Sequence, residues 1–338
     1  MKIKRIAIIL VLAIAVSSKM PMAAAAEDTG QQGSYDAPVM FTADGNTVVA
    51  APSGISKDSN GRMYLADRTY HVLRRRTKNG RSILLAGQEG VSGYKDGKAE
   101  GALFHDPWDV VSFRNGWAIS DSENHVIRYF NGSKVSTIAG NGTSGYRNAI
   151  GKKAAFSRPT GLAAGKNGEL YIADTDNHVI RVMDKNGKVR LYAGSTKGCA
   201  QGALNKAKFN EPTGLYFYKG ALYVADSGNH RICKIVNGKV TTVAGSMQGV
   251  EGDAVGRALK ARLSNPQDIF LFRDVLYIAD TGNGSIKKLD GKKVTTVAAA
   301  FSLKGGKAPA EPGSMMIQRG HLFVGDLFTE ELLKIKLE

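Results

Sequence analysis

The sequence predicts an all-β ring of six four-stranded antiparallel sheets, a six-bladed β-propeller, and three observations carry that expectation. Six of the nine prolines mark a period: Pro52, Pro107, Pro159, Pro212, Pro266 and Pro312 stand 55, 52, 53, 54 and 46 residues apart. Each is followed by a short apolar stretch, a polar or glycine turn, and a strand-like run at 63–67, 117–121, 170–174, 222–226, 276–280 or 322–326. Every run ends in aspartate: Asp67, Asp121, Asp174, Asp226, Asp280 and Asp326. Such β-branched and aromatic runs between turn formers are strands, and no unit has room for a long helix. The 40 glycines supply the many turns that so many strands demand.

Unit three shows the strand count best, with strands expected at 161–164, 169–173, 178–183 and 188–193. The joints contain Asn167-Gly168 and Asn186-Gly187, pairs that accept the positive backbone angles of tight antiparallel turns. Four strands per unit of about fifty residues describe a propeller blade. The blades start near residues 52, 107, 159, 212, 266 and 312, within one domain over 38–338 that closes without long exposed sheet edges. The last unit has space for three strands only. The β-prone stretch 38–50 is therefore expected to supply its outer strand and join the two ends.

Residues 1–26 read as a leader rather than as part of the fold. Lys2, Lys4 and Arg5 precede an apolar run from Ile6 to Val16, then small residues ending Ala24-Ala25-Ala26. That is the order of a secretory signal peptide, with cleavage expected after Ala26 and a flexible stretch over 27–37. The apolar run is too short for a permanent anchor, so a secreted or extracytoplasmic protein with no remaining transmembrane segment is expected. Removing four Lys/Arg and no Asp/Glu from a formal charge of +16 leaves +12 on the mature chain.

Two cysteines exclude a disulfide scaffold, a four-cysteine zinc site and an iron–sulfur centre. Cys199 and Cys233 map to different parts of adjacent units, and two free thiols are expected ahead of a bridge.

The turns after the aspartates carry a family resemblance. Asp121-Ser122-Glu123-Asn124-His125-Val126-Ile127, Asp174-Thr175-Asp176-Asn177-His178-Val179-Ile180 and Asp226-Ser227-Gly228-Asn229-His230-Arg231-Ile232 resemble the core of the NHL repeat. The first unit keeps the histidine as His71, the fifth keeps Asn283, and the sixth keeps only Asp326. The resemblance runs from Pro52 to the end of the chain and implies the six-bladed fold. It says little of activity, because function is carried by sites and not by folds.

The repeated residues read as structural. Aspartate and asparagine bracket the turn between second and third strands, where short polar side chains satisfy backbone N–H groups. His71, His125, His178 and His230 hold one equivalent position in four blades and, spread around a ring, are placed for packing rather than for one shared ion. Arg74, Arg128, Arg181 and Lys287 share a third-strand position, so part of the basic excess is expected as an ordered ring. The linkers repeat too, ending at Ala102-Leu103-Phe104, Ala154-Ala155-Phe156, Ala207-Lys208-Phe209 and Ala261-Arg262-Leu263. Chain direction puts these linkers and the second-to-third-strand turns on one face.

Candidates for chemistry lie where the innermost strands begin. Gly54, Gly161 and Gly214 follow their prolines by two positions, but Asp109, Asp268 and Ser314 occupy that place in units two, five and six. Blades two and five are opposite in a ring of six, so both carboxylates are expected at the channel mouth. Oxygen ligands there suit a divalent cation such as calcium, with His105 and Asp106 just upstream. The resemblance to other six-bladed propellers implies an alternative, a hydrolase, lactonase or lyase with a divalent metal at the channel mouth. No Ser-His-Asp or Cys-His arrangement is readable from spacing. The sequence is therefore read as an exported, monomeric, non-catalytic binding or scaffold module whose linker-bearing face takes a protein or an anionic cell-surface polymer. Intracellular nucleic acid is not expected as a partner.

Overall fold

The computed structural model describes residues 52–77, 80–299, 311–328 and 331–337. They form six antiparallel sheets in chain order, and no α-helix occurs among them. The innermost strands begin at Pro52, Pro107, Pro159, Pro212, Pro266 and Pro312. Proline suits that place because a first strand residue can forgo its N–H. Blade three runs Pro159–Ala164, Leu170–Asp174, Val179–Met183 and Val189–Ala193, paired in sequence order. The propeller is thus observed; the expected closing strand at 38–50 lies outside the described residues, and blade six shows three strands.

Blades two, four and five carry a fifth, two-residue strand that sequence reading missed. Gly97–Lys98, Gly202–Ala203 and Gly256–Arg257 come from the preceding linker and pair with the outer strand of the next blade. Each linker doubles back as a narrow hairpin, with backbone bonds such as Gly93 N–H to Phe104 O and Gly145 N–H to Phe156 O, both at 2.9 Å. The hairpin covers an edge that would otherwise offer free N–H and C=O groups.

The core is a ring of clusters between blades. Phe104 packs with Tyr64, Val110 and Trp117 between blades one and two, Phe156 with Phe113 and Leu162 between two and three, and Phe209 with Ile180 and Leu215 between three and four. These linker phenylalanines are fully buried, each contributing on the order of 1.5–3 kcal/mol. Met63 of blade one meets Met316 and Phe323 of blade six. Gln318 also donates its side-chain amide to Gly61 O at 2.6 Å. The first and last blades are thereby in direct contact.

Candidate functional site

All six innermost strands have a register shift just after the proline, for instance between Pro107 and Asp109 and between Pro266 and Asp268. A bulge of this kind re-aims the side chain that follows it. Where that residue is glycine, the neighbouring blade comes very close: a Cβ on Gly161 would lie 2.0 Å from Thr213 O, and one on Gly54 would lie 2.5 Å from Asp109 Cα. Only a residue without a side chain fits those places.

Asp109, Asp268 and Ser314 line a central channel cavity of about 260 Å³. Asp109 accepts from its neighbour Val110 N–H at 2.7 Å and from Leu162 N–H of blade three at 2.8 Å. Asp268 repeats the link three blades on, accepting from Met315 N–H of blade six at 2.8 Å. Each carboxylate therefore ties its blade to the next. Desolvation pushes Asp109 up to about 6, against the two backbone donors. Desolvation and then the negative charge of Asp109 push Asp268 well above the usual carboxylate range. Mutual repulsion of two carboxylates in one low-dielectric space has that sign.

His105 and Asp106 lie outside the channel lining. Asp106 takes an ion pair from Arg68 at 2.8 Å, its N–H donates to His71 Nδ1 at 3.2 Å, and His105 stacks edge-on against His71 at 5.6 Å. They close the seam between blades one and two. Among the described residues, no group of three or more His, Cys, Asp or Glu side chains is gathered for a metal ion. The oxygens of Asp109, Asp268 and Ser314, beside those of Ser56, Ser112 and Gln267 in the same lining, are of a type that holds a hard cation.

The repeated histidines make one contact four times. His71, His125, His178 and His230 each follow a tight turn with φ between 52° and 57°. In each, Nδ1 accepts the N–H of the residue before the next blade's proline, that of Asp106, Arg158, Glu211 or Asn265, at 3.0–3.2 Å. Gly284 takes the same positive φ in blade five, a backbone conformation that glycine adopts without steric cost. The asparagines also reach the linkers: Asn124, Asn177, Asn229 and Asn283 donate to Gly93, Gly145, Gly198 and Gly252 carbonyls at 2.7–2.9 Å.

The ordered basic ring exists but is interior, which corrects its reading as part of a positive surface. Arg128 and Arg181 are fully buried, paired with Asp121 at 2.5 Å and Asp174 at 2.7 Å. Arg74 pairs with Asp67 at 2.5 Å, and Lys287 with Asp280 and with Asp253 at 2.7 Å. In blade four Cys233 stands where the cation would be, and Arg231 reaches Asp226 at 2.7 Å from two residues earlier. The aspartates meanwhile accept linker N–H groups, from His105 to Asp121 and from Ser157 to Asp174, at 2.7–2.8 Å. Each pair thus bolts a linker to its blade. Both cysteines are free thiols, Cys233 buried and Cys199 partly so.

The linker-bearing face differs from the rest of the surface. All ten exposed large apolar side chains among the described residues, including Tyr94, Tyr146, Val250 and Phe328, lie in linkers or in second-to-third-strand turns. Tyr94 and Tyr146 are held rigidly, each covering a guanidinium, Arg128 at 5.2 Å and Arg181 at 4.5 Å from the ring centres. Asn124 to Gly93 and its three equivalents place the first part of each linker beside the second-to-third-strand turns, whereas the linker tips reach the third-to-fourth-strand turns, as in Ala99 N–H to Ser133 O and Ala258 N–H to Lys292 O.

A six-bladed ring whose seams are closed by an Asp, Asn and His repeat defines a class of repeat propeller. The NHL repeat family model matches residues 156–183 and 209–235, and the chain is an NHL-repeat six-bladed β-propeller. It is 28% identical over 285 residues to NHL repeat-containing protein 2 of Bos taurus, covering 71% of this chain and 39% of that protein. It spans under half the length of the curated relatives it matches. Among solved structures it resembles an auxiliary nutrient binding protein from Bacteroides ovatus, with a TM-score of 0.61, 15% identity, and 85% and 69% of the two chains covered. Virginiamycin B lyase from Staphylococcus aureus matches with a TM-score of 0.52 and 12% identity over 89% and 87%. At those identities the structures share the fold alone. No helix among the described residues is long and apolar enough to cross a membrane.

Proposed function

We propose that this chain is an exported binding or scaffold module that holds a protein partner on its linker-bearing face. One observation carries the reading: Tyr70, Val91, Tyr94, Tyr146, Met247, Val250 and Phe328, seven of the ten exposed large apolar side chains among the described residues, sit in the second-to-third-strand turns or in the linker segments beside them. Apolar and aromatic groups on a rigid frame are the usual material of protein interfaces, because little side-chain entropy is lost on contact. The burial of Arg74, Arg128, Arg181 and Lys287 removes the ordered charge that favoured an anionic polymer. The charged, apolar, small-residue order of residues 1–26 supports export. A neighbour named as a nutrient-binding protein is consistent with a ring that holds a partner.

The test has two parts. Fractionation of expressing cells, with N-terminal sequencing, should find the protein outside the cytoplasm beginning at Glu27; retention inside with Met1 intact removes export. Purified protein should bind a component of the cell envelope or medium in moderate salt. Tyr94→Asp with Tyr146→Asp should weaken that binding about tenfold or more. Binding that vanishes in salt and follows surface lysines, with the tyrosine variant unaffected, replaces the protein partner with an anionic polymer.

A further inference from the structure

Between blades four and five, under the tip of their linker, lies a cleft of about 690 Å³. That is within the roughly 300–1,000 Å³ of small-molecule sites. The reason is local. At the seam of blades one and two, Trp117, four residues before the repeat aspartate, stacks on Tyr64 at 3.7 Å. At the seam of blades three and four, Phe217, five residues after the proline, stacks on Tyr171 at 5.6 Å. Blade five has Leu276 and Leu271 at those two places, opposite Tyr223, and the missing ring leaves space.

The floor of the cleft is apolar and its rim is cationic. Lys234, Arg257, Lys260 and Lys292 surround it, with Lys234 Nζ 5.4 Å from the Tyr223 ring centre. Asp274 is the carboxylate of the lining, and Lys219 neutralises it at 2.7 Å. None of the four rim cations is in an ion pair among the described residues. A guest complementary to this site has a hydrocarbon body and one anionic end.

We propose that the cleft binds a free single-chain anionic amphiphile, a long-chain carboxylate, with its alkyl chain on Leu271, Leu276 and Tyr223 and its carboxylate at the rim lysines. The cleft takes linker residues Arg257–Lys260 at the third-to-fourth-strand end of the blade, apart from the turns that carry Tyr94 and Tyr146, and does not depend on what binds there. Calorimetric titration of the whole protein with dodecanoate, below its micellar concentration, should show one saturable site. Dodecyltrimethylammonium, with the same chain and opposite charge, should bind about tenfold more weakly or worse. Leu271→Phe with Leu276→Trp, the residues of the filled seams, should weaken dodecanoate about tenfold or more. If that variant does not fold, Lys260→Glu with Lys292→Glu must weaken dodecanoate without weakening the alkyl cation. No saturable dodecanoate binding, equal affinity for both charges, or affinity unmoved by these variants overturns the proposal.

Discussion

The Ser314 hydroxyl donates to the carbonyl of Pro52 at 2.7 Å, across 262 positions of sequence. It completes a set in which each blade passes a hydroxyl bond to the proline carbonyl of the next. Ser122 reaches Pro159, Thr175 reaches Pro212, Ser227 reaches Pro266 and Thr281 reaches Pro312, at 2.6–2.9 Å. Ser53 reaches Pro107 at 3.0 Å. In blades one and six the residue after the repeat aspartate is Arg68 or Leu327, so a serine on the innermost strand takes over.

Ser314→Ala should therefore loosen the ring where its ends meet. The loss of a buried bond and the stranding of Pro52 O should cost about 1–3 kcal/mol in urea unfolding. Ser314→Thr should recover most of it. A Ser314→Ala protein as stable as the parent would show that closure rests elsewhere.

The histidine contact should make the fold sensitive to mild acid. Desolvation holds His71 and His178 below the ordinary 6.5, and protonation at Nδ1 removes the acceptor that each needs. Their folded pKa is depressed, so their contribution is complete above about 6.5 and is lost as pH falls through the folded value. Unfolding free energy measured from pH 7.5 to 5 should drop less steeply in His178→Asn than in the parent. Parallel curves would rule the contact out as a pH-sensitive joint.

Asp109 should act with the opposite sign. Its folded pKa, about 6, is above the ordinary 3.8, so its contribution is present below about 3.8 and is lost as pH rises through about 6. Asp109→Asn keeps an acceptor for Leu162 N–H but does not titrate. The stability of the parent relative to this variant should fall between pH 4 and 7, as read from paired urea titrations. A constant difference across that range would mean the carboxylate is not held up in the folded state.

Arg128→Met should expose how much the interior pairs matter. Leaving Asp121 buried without its guanidinium should cost about 3–5 kcal/mol, and adding Asp121→Asn should restore part of it. Adsorption to an anionic polymer should not change at temperatures where the variant is folded. Reduced adsorption by folded Arg128→Met would return the buried ring to a binding role.

The propeller was legible because proline spacing and aspartate-ended strands repeat six times, and repetition outweighs the ambiguity of any single segment. The register of Arg74, Arg128, Arg181 and Lys287 was legible too, but not their depth. A cation in a strand reads as solvent-facing until its partner seven residues earlier is placed beneath it. Arg231 escaped notice because it serves Asp226 from another position. The fifth strands escaped for a different reason: Gly97–Lys98 and Gly202–Ala203 have no β-propensity and exist only because the linker hairpin lies along a free edge. Asp109 and Asp268 stood out as departures from glycine, whereas their bonds to Leu162 and Met315 depend on blade order in space.

Those two carboxylates give the wheel a symmetry lower than its blade count. Gly54, Asp109 and Leu162 are followed, three blades on, by Gly214, Asp268 and Met315 in the same relation. A guest seated on the axis would meet a carboxylate at two places, a half-turn apart, rather than at six.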